Sequence, residues 1–485
     1  MQRGSMRRTG AAVVGQYGCV GSRAPARSRR RTTSIGFVLL IALAGARPAC
    51  AETASAPRIE GDLPRAALLG FRMAEVEGGL VVRRLDPASA AARAGLRDGD
   101  RIEAVLDRPV TAHHVGEDLL RRLDGRVLAE LRVSRASGGA TIRFTPPPRP
   151  LETLAGVEQV YGVLATPDGA RLRTLLTRPA GAAAALPAVF VTQWVSCDSI
   201  EVHDTSGTST LLRALAERSG MATIRVERST GGDSEGPGCH ELDYDTEVAH
   251  YRHALDELSR HPWIDPARIV VLGLSLGSTT APLVAEGLPV AGVVVTGAGA
   301  TTYFERMLAF DRLAFERQGD PRELHARLLA HARFHEAYLL DSEDPRAIAE
   351  RRPELAGVWA AMRGTGDGTH YGRPYDWHRQ AARRDFLSAW AALRAPVLVL
   401  YAEYDQFEPA AGHRLIVEAR NRLQPGSAQY VELPRMGHDF AVYPTPEDAM
   451  RWRRGAPAPE LVVEPILAWL RSQGLARAAV EAEEP

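Results

Sequence analysis

The chain has 485 residues, 45% apolar and 24% charged, with 59 basic and 59 acidic side chains in formal balance. That length favours two domains plus processing segments, and the composition is ordinary for a folded soluble protein, with nothing that suggests a nucleic-acid partner. The sequence contains no lysine, which excludes Schiff-base, P-loop and Ser-Lys chemistry, since each needs a lysine amine.

Residues 1–51 read as a targeting segment. Arginine is the only charged residue type there, and the apolar run Ile35–Ala46 is followed by Ala49-Cys50-Ala51, a small-x-small cleavage site. The run is too short to span a bilayer, so a cleaved signal peptide and export to the periplasm or beyond are expected, with no stable membrane span. Lipid anchoring through Cys50 is the lesser expectation, because Arg47 stands where a small or aliphatic residue is wanted. Removing this segment leaves Cys197 and Cys239 as the only cysteines. In an exported chain such a pair points to a disulfide, with two buried free thiols as the alternative.

Residues 65–146 carry Leu69-Gly70-Phe71, then Gly79-Leu80-Val81-Val82, Pro87-Ala88-Ser89-Ala90-Ala91 and Ala94-Gly95-Leu96-Arg97-Asp98-Gly99-Asp100. This series resembles a PDZ domain of the bacterial protease-associated type. The resemblance implies a carboxylate-binding loop at Leu69, Gly70 and Phe71. A helix over about 114–123 would flank a groove that takes a peptide C-terminus as an added strand. A structural appendage with no ligand is the alternative. Residues 147–150, within Pro146-Pro147-Pro148-Arg149-Pro150, read as a stiff, extended linker.

From Leu151 to about 475, apolar strands alternate with helical periods, the pattern of a mostly parallel α/β sheet. Strands are expected at 158–165, 171–177, 188–192, 222–227, 268–274, 290–296, 396–401 and 429–433. Helices are expected at 210–219, 245–260, 411–422 and 461–473, and residues 476–485 read as a tail. The fifth strand runs into Gly273-Leu274-Ser275-Leu276-Gly277, and a helical segment follows. Strand, Gly-x-Ser-x-Gly and helix in that order form the context of a nucleophile elbow, in which a sharp turn leaves no room for side chains beside the serine.

Eight strands with the serine after the fifth resemble the α/β-hydrolase fold. The resemblance implies a Ser–acid–His order. Asp405, in the loop after the strand ending at Tyr401, would be the acid, with Glu403 and Glu408 as near rivals. His438, in Gly437-His438-Asp439 after the last strand, would be the general base acting on Ser275. The implied oxyanion donors are the backbone N–H groups of Leu276 and, in the loop after the third strand, Trp194. A Cys197–Cys239 bridge would tie that loop to the one after the fourth strand. Residues 301–394 fall where this fold carries a lid, and Tyr303, Phe304, Trp359, Tyr371, Tyr375 and Trp377 are candidate pocket walls, each expected more often to be core than contact. His370 and His378 fit no zinc spacing, so neither a metal nor a cofactor is expected.

The expected activity is hydrolysis of a carboxylic ester or thioester of a small-molecule or acylated substrate through an acyl-enzyme. A peptidase of the prolyl-oligopeptidase or serine-aminopeptidase type is the alternative among enzymes. A catalytically silent peptide-binding adaptor is the alternative outside them.

Overall fold

The computed structural model describes residues 57–76, 79–297, 299–361 and 368–476. The expected signal peptide (1–51), most of the expected tail and the glycine-rich stretch 364–367 lie outside the described residues.

The N-terminal unit is a six-stranded antiparallel sheet, with Arg72–Val76 on its edge, then Gly79–Arg83, Arg101–Val105, Ala129–Arg135 and Gly138–Phe144. The short strand Arg108–Pro109 pairs with Arg101–Val105. Helix α1 (His113–Arg121) closes this unit over a small core that includes Phe71, Leu80, Val82, Leu119 and Leu131. Gly70 sits at φ +76°, and a Cβ there would run into the Ser89 side chain, so the Leu69-Gly70-Phe71 loop needs its glycine.

The proline stretch is extended but is not a free spacer. Leu68 N–H donates to Pro147 O (2.8 Å), Arg149 N–H to Ala66 O (2.8 Å) and Arg126 N–H to Pro146 O (2.7 Å). Proline cannot donate, but its carbonyls can accept, and here they pin the joint to the N-terminal unit. The unit itself docks on its neighbour. Arg65 pairs with Asp233 (2.5 Å), Arg121 with Asp198 (3.6 Å), and Asp118 with His240.

The second unit is built on a mixed sheet. Its strands are β1 (Val157–Ala165), β2 (Arg171–Pro179), β3 (Leu186–Thr192), β4 (Ala222–Val226), β5 (Ile264–Leu274), β6 (Gly292–Thr296), β7 (Val397–Ala402) and β8 (Ala428–Leu433). They lie in the order β1-β2-β4-β3-β5-β6-β7-β8. β2 is antiparallel to both its neighbours and the rest of this order is parallel. The sheet has nine strands rather than the expected eight, because Arg58–Ile59 adds to β1 in parallel. Two residues are too few to show a strand period, which is why the sequence does not reveal this edge.

Strand β5 is apolar on both faces because the sheet is covered on both. Val270, Leu272 and Leu274 point into one core, with Leu398, Leu400 and Ile466. Ile269 and Val271 point into the other, with Val399 and Ile416. Helices Gly207–Arg218, α2 (Tyr244–Leu258), α3 (Gly277–Ala285), Ala410–Leu423 and Glu460–Ser472 cover the sheet. Between β6 and β7 the insertion is helical, led by α4 (Tyr303–Gln318) and α5 (Leu324–His335), and carries a third core that reaches Leu276. No helix among the described residues is long and apolar enough to cross a membrane.

Candidate active site

Ser275 lies at the turn from β5 into α3 with φ +53°, a conformation costly for a side-chain-bearing residue. Two close approaches over-determine it. A Cβ on Gly273 would stand 2.6 Å from Ser278 Cα, and one on Gly277 would overlap the Thr192 carbonyl at the end of β3. The turn is tied down by Ser275 N–H to Thr296 O (2.8 Å) and Ser278 Oγ to Gly273 O (2.9 Å).

The loops after β7 and β8 bring two further residues to this serine. His438 Nε2 is 2.8 Å from Ser275 Oγ, and His438 Nδ1 is 2.7 Å from Asp405 Oδ2. The other oxygen of Asp405 accepts the N–H groups of Phe407 (2.8 Å) and Glu408 (2.9 Å). Burial alone would raise the Asp405 pKa, but His438 and these two N–H groups hold it below the usual carboxylate range. Burial likewise opposes charge on His438, yet Asp405 prevails and holds its pKa above the ordinary histidine value. The rival carboxylates are engaged elsewhere. Glu403 accepts Arg435 N–H (2.7 Å), and Glu408 pairs with Arg306 of α4.

Gln406 was not anticipated. Its Oε1 accepts His438 N–H (2.8 Å) and its Nε2 donates to Ala449 O (2.9 Å), so it holds the histidine loop against the acid loop. Only its place beside Asp405 hinted at such a role.

The loop after β3 is held from behind. Arg228 donates to Gln193 O (2.9 Å) and Ser196 O (2.6 Å), and its Nε donates to Glu247 on α2 (2.8 Å). Glu247 also pairs with Arg373 of the insertion and accepts from Trp377 Nε1 (3.2 Å). All three charged side chains are buried. Burial lowers the Arg373 pKa to about 10, and Glu247, flanked by two guanidiniums, stays below the usual carboxylate range. A disulfide joins Cys197 in this loop to Cys239, with Cα atoms 6.0 Å apart. Trp194 is partly buried and its ring packs against the sheet core.

The aromatic residues considered as pocket walls are mostly the insertion's own core. Tyr303, Trp359, Tyr375 and Trp377 are buried there, Phe304 packs against it, and Tyr371 is exposed. Apolar clustering within the insertion outweighs pocket lining because the insertion is large enough to need a core. His378 is satisfied by the Tyr303 hydroxyl (2.8 Å) and His370 O (2.7 Å), an arrangement of core histidine rather than of a metal ligand.

A model of the alpha/beta hydrolase family matches residues 194–451, more than half of the chain and the whole span from Trp194 past His438. A polyketide transferase from Stachybotrys chlorohalonatus is 37% identical over 62 residues, 13% of this chain and 21% of that protein. The chain therefore spans only about a fifth of that relative's length. An esterase from Pyrococcus furiosus is similar in structure, with a TM-score of 0.39 and 12% identity over 67% of this chain and 97% of that one. The esterase domain of a Rhodothermus marinus protein gives a TM-score of 0.37 and 16% identity over 65% and 98%. With its sheet order, its serine turn and the matched span together, this chain belongs to the alpha/beta hydrolase family.

Proposed function

We propose that this protein is an exported serine hydrolase that cleaves a carboxylic ester or thioester. The observation that carries the reading is the continuous chain of contacts from Asp405 through His438 to Ser275, at 2.7 and 2.8 Å, on a serine held in a strained turn. In this reading His438 takes the Ser275 proton as the hydroxyl oxygen attacks the acyl carbon. The histidine then protonates the leaving group, and water repeats the sequence to release the acid. Asp405 keeps the Nδ1 proton in place and stabilises the imidazolium. The N–H groups of Leu276, at the start of α3, and Trp194 would receive the oxyanion. Their location on a helix N-terminus and on a loop braced by Arg228 and the disulfide supports that assignment.

The N-terminal unit is proposed to be a PDZ domain. Its antiparallel sheet has an edge strand, Arg72–Val76, whose Glu75 meets His113 at the start of α1 (3.4 Å), which supports a groove for a peptide C-terminus, with Leu69, Gly70 and Phe71 as the carboxylate loop. The disulfide supports export, since such bonds persist in oxidising compartments.

Labelling with a fluorophosphonate probe, beside a Ser275→Ala control, tests the reading. Serine-dependent labelling is expected, together with turnover of p-nitrophenyl acyl esters. Absence of labelling in folded wild-type protein would overturn it, and turnover of peptide amides alone would replace it with a peptidase.

A further inference from the structure

Outside the candidate active site, the insertion places three metal-ligating side chains on one point. His331 and His335 are four residues apart on α5, so both rings project from the same face of the helix. Asp311 faces them from α4. A single carboxylate oxygen, Oδ2, lies 2.6 Å from His331 Nδ1 and 2.9 Å from His335 Nε2. The three ligand atoms all lie within 4.8 Å of one another, and all three residues are buried. His335 is fully enclosed and its other ring nitrogen, Nδ1, meets no hydrogen-bond partner.

We propose that Asp311, His331 and His335 bind a divalent transition-metal ion, with zinc the preferred occupant, and that the ion staples α4 to α5. Two imidazole nitrogens and one carboxylate oxygen are the donor set zinc favours. Calcium and magnesium call for oxygen ligands throughout. Zinc–ligand bonds of about 2.0–2.2 Å at tetrahedral angles separate neighbouring donors by roughly 3.3 Å. The observed contacts of 2.6 and 2.9 Å fall short of that spacing by less than about an ångström. Zinc would replace the two ring protons that now point at Oδ2. The imidazoles would bind in their neutral form, with the proton on the other nitrogen, and a fourth position would remain for water. The ion would also set a cation against the buried Asp311 carboxylate.

The location gives the site a role. α4 carries Arg306, which pairs with Glu408 beside Asp405. An ion joining α4 to α5 thus braces the helix that abuts the acid loop. It is a structural site, with no part in bond cleavage, and it stands whether or not the serine hydrolase reading does.

The test uses the full chain, purified without a polyhistidine tag and stripped with EDTA. Calorimetric titration with zinc should give one equivalent per chain, with Tm rising as the site fills. Asp311→Asn and the double variant His331→Gln/His335→Gln should bind more than about 100-fold more weakly. Cobalt(II) added to wild-type protein should show the intense visible bands of a low-coordinate nitrogen and oxygen site, a readout that needs no variant to fold. The proposal is overturned if wild-type protein binds no zinc equivalent, if the double variant binds as well as wild type, or if cobalt keeps the weak spectrum of its aqua ion.

Discussion

Arg306 on α4 and Glu408, three residues beyond Asp405, form an ion pair closed off between the helical insertion and the acid loop. Burial pushes the Glu408 pKa up, and the guanidinium opposes that shift without cancelling it. The pair links the helical insertion to the loop whose Asp405 carboxylate meets His438.

Removing one partner leaves an uncompensated buried charge. Arg306→Met should therefore destabilise the protein by about 3–5 kcal/mol, and Glu408→Met by a similar amount. The double methionine variant should recover much of the loss, because two apolar side chains replace two desolvated ions. Urea denaturation of the four proteins closes the cycle. Additive losses would show that the two residues act independently.

The His438–Asp405 pair sets a direction for pH dependence. In the proposed mechanism Ser275 needs neutral His438 as its base. Because Asp405 raises the histidine's pKa, more imidazolium is present at a given pH. Activity should accordingly fall, as pH drops, at a value above the ordinary histidine pKa of about 6.5. Asp405→Asn should move that limb to lower pH and reduce kcat by roughly 10⁴-fold. Profiles of kcat/KM against pH for the two proteins would check both points. An unmoved limb in the variant would remove Asp405 from the mechanism.

Arg228 reaches two carbonyls of the loop that carries Trp194 and anchors on Glu247. Lysine keeps the charge but lacks the planar fork that spans three acceptors. Arg228→Lys should lower kcat on an acyl ester by about 10–100-fold, less than loss of an oxyanion donor itself, with KM little changed. Circular dichroism and Tm would establish that the variant is folded. A change confined to KM would mean that the loop shapes substrate binding only.

The Cys197–Cys239 bridge closes a 42-residue separation. Chain entropy places its contribution at about 4 kcal/mol. Reductant, or Cys197→Ala with Cys239→Ala, should lower Tm and slow acyl-ester turnover together, since one end lies in the loop of Gln193 and Trp194. Thiol titration of the unreduced, denatured protein should find neither cysteine reactive.

Much of this architecture is written locally. Gly273, Ser275 and Gly277 between an all-apolar strand and a helix announce a turn with no space for side chains, and the overlap of a Gly277 Cβ with Thr192 O is the physical form of that signal. The alternation of strand and helix periods and the isolated cysteine pair are equally legible, because each depends on neighbours or on simple counting; the Ser–acid–His order comes only from the resemblance to a known fold.

What only the tertiary structure decided is which distant groups meet. Asp405, rather than Glu403 or Glu408, is the carboxylate on His438, because the rivals are taken by Arg435 N–H and Arg306. The proline joint is pinned rather than free, and Asp311 meets His331 and His335 across a helix pair. A periodic pattern reports the face of an element. It carries no information on which charge, 60 or 100 residues away, will lie opposite that face once water has been excluded.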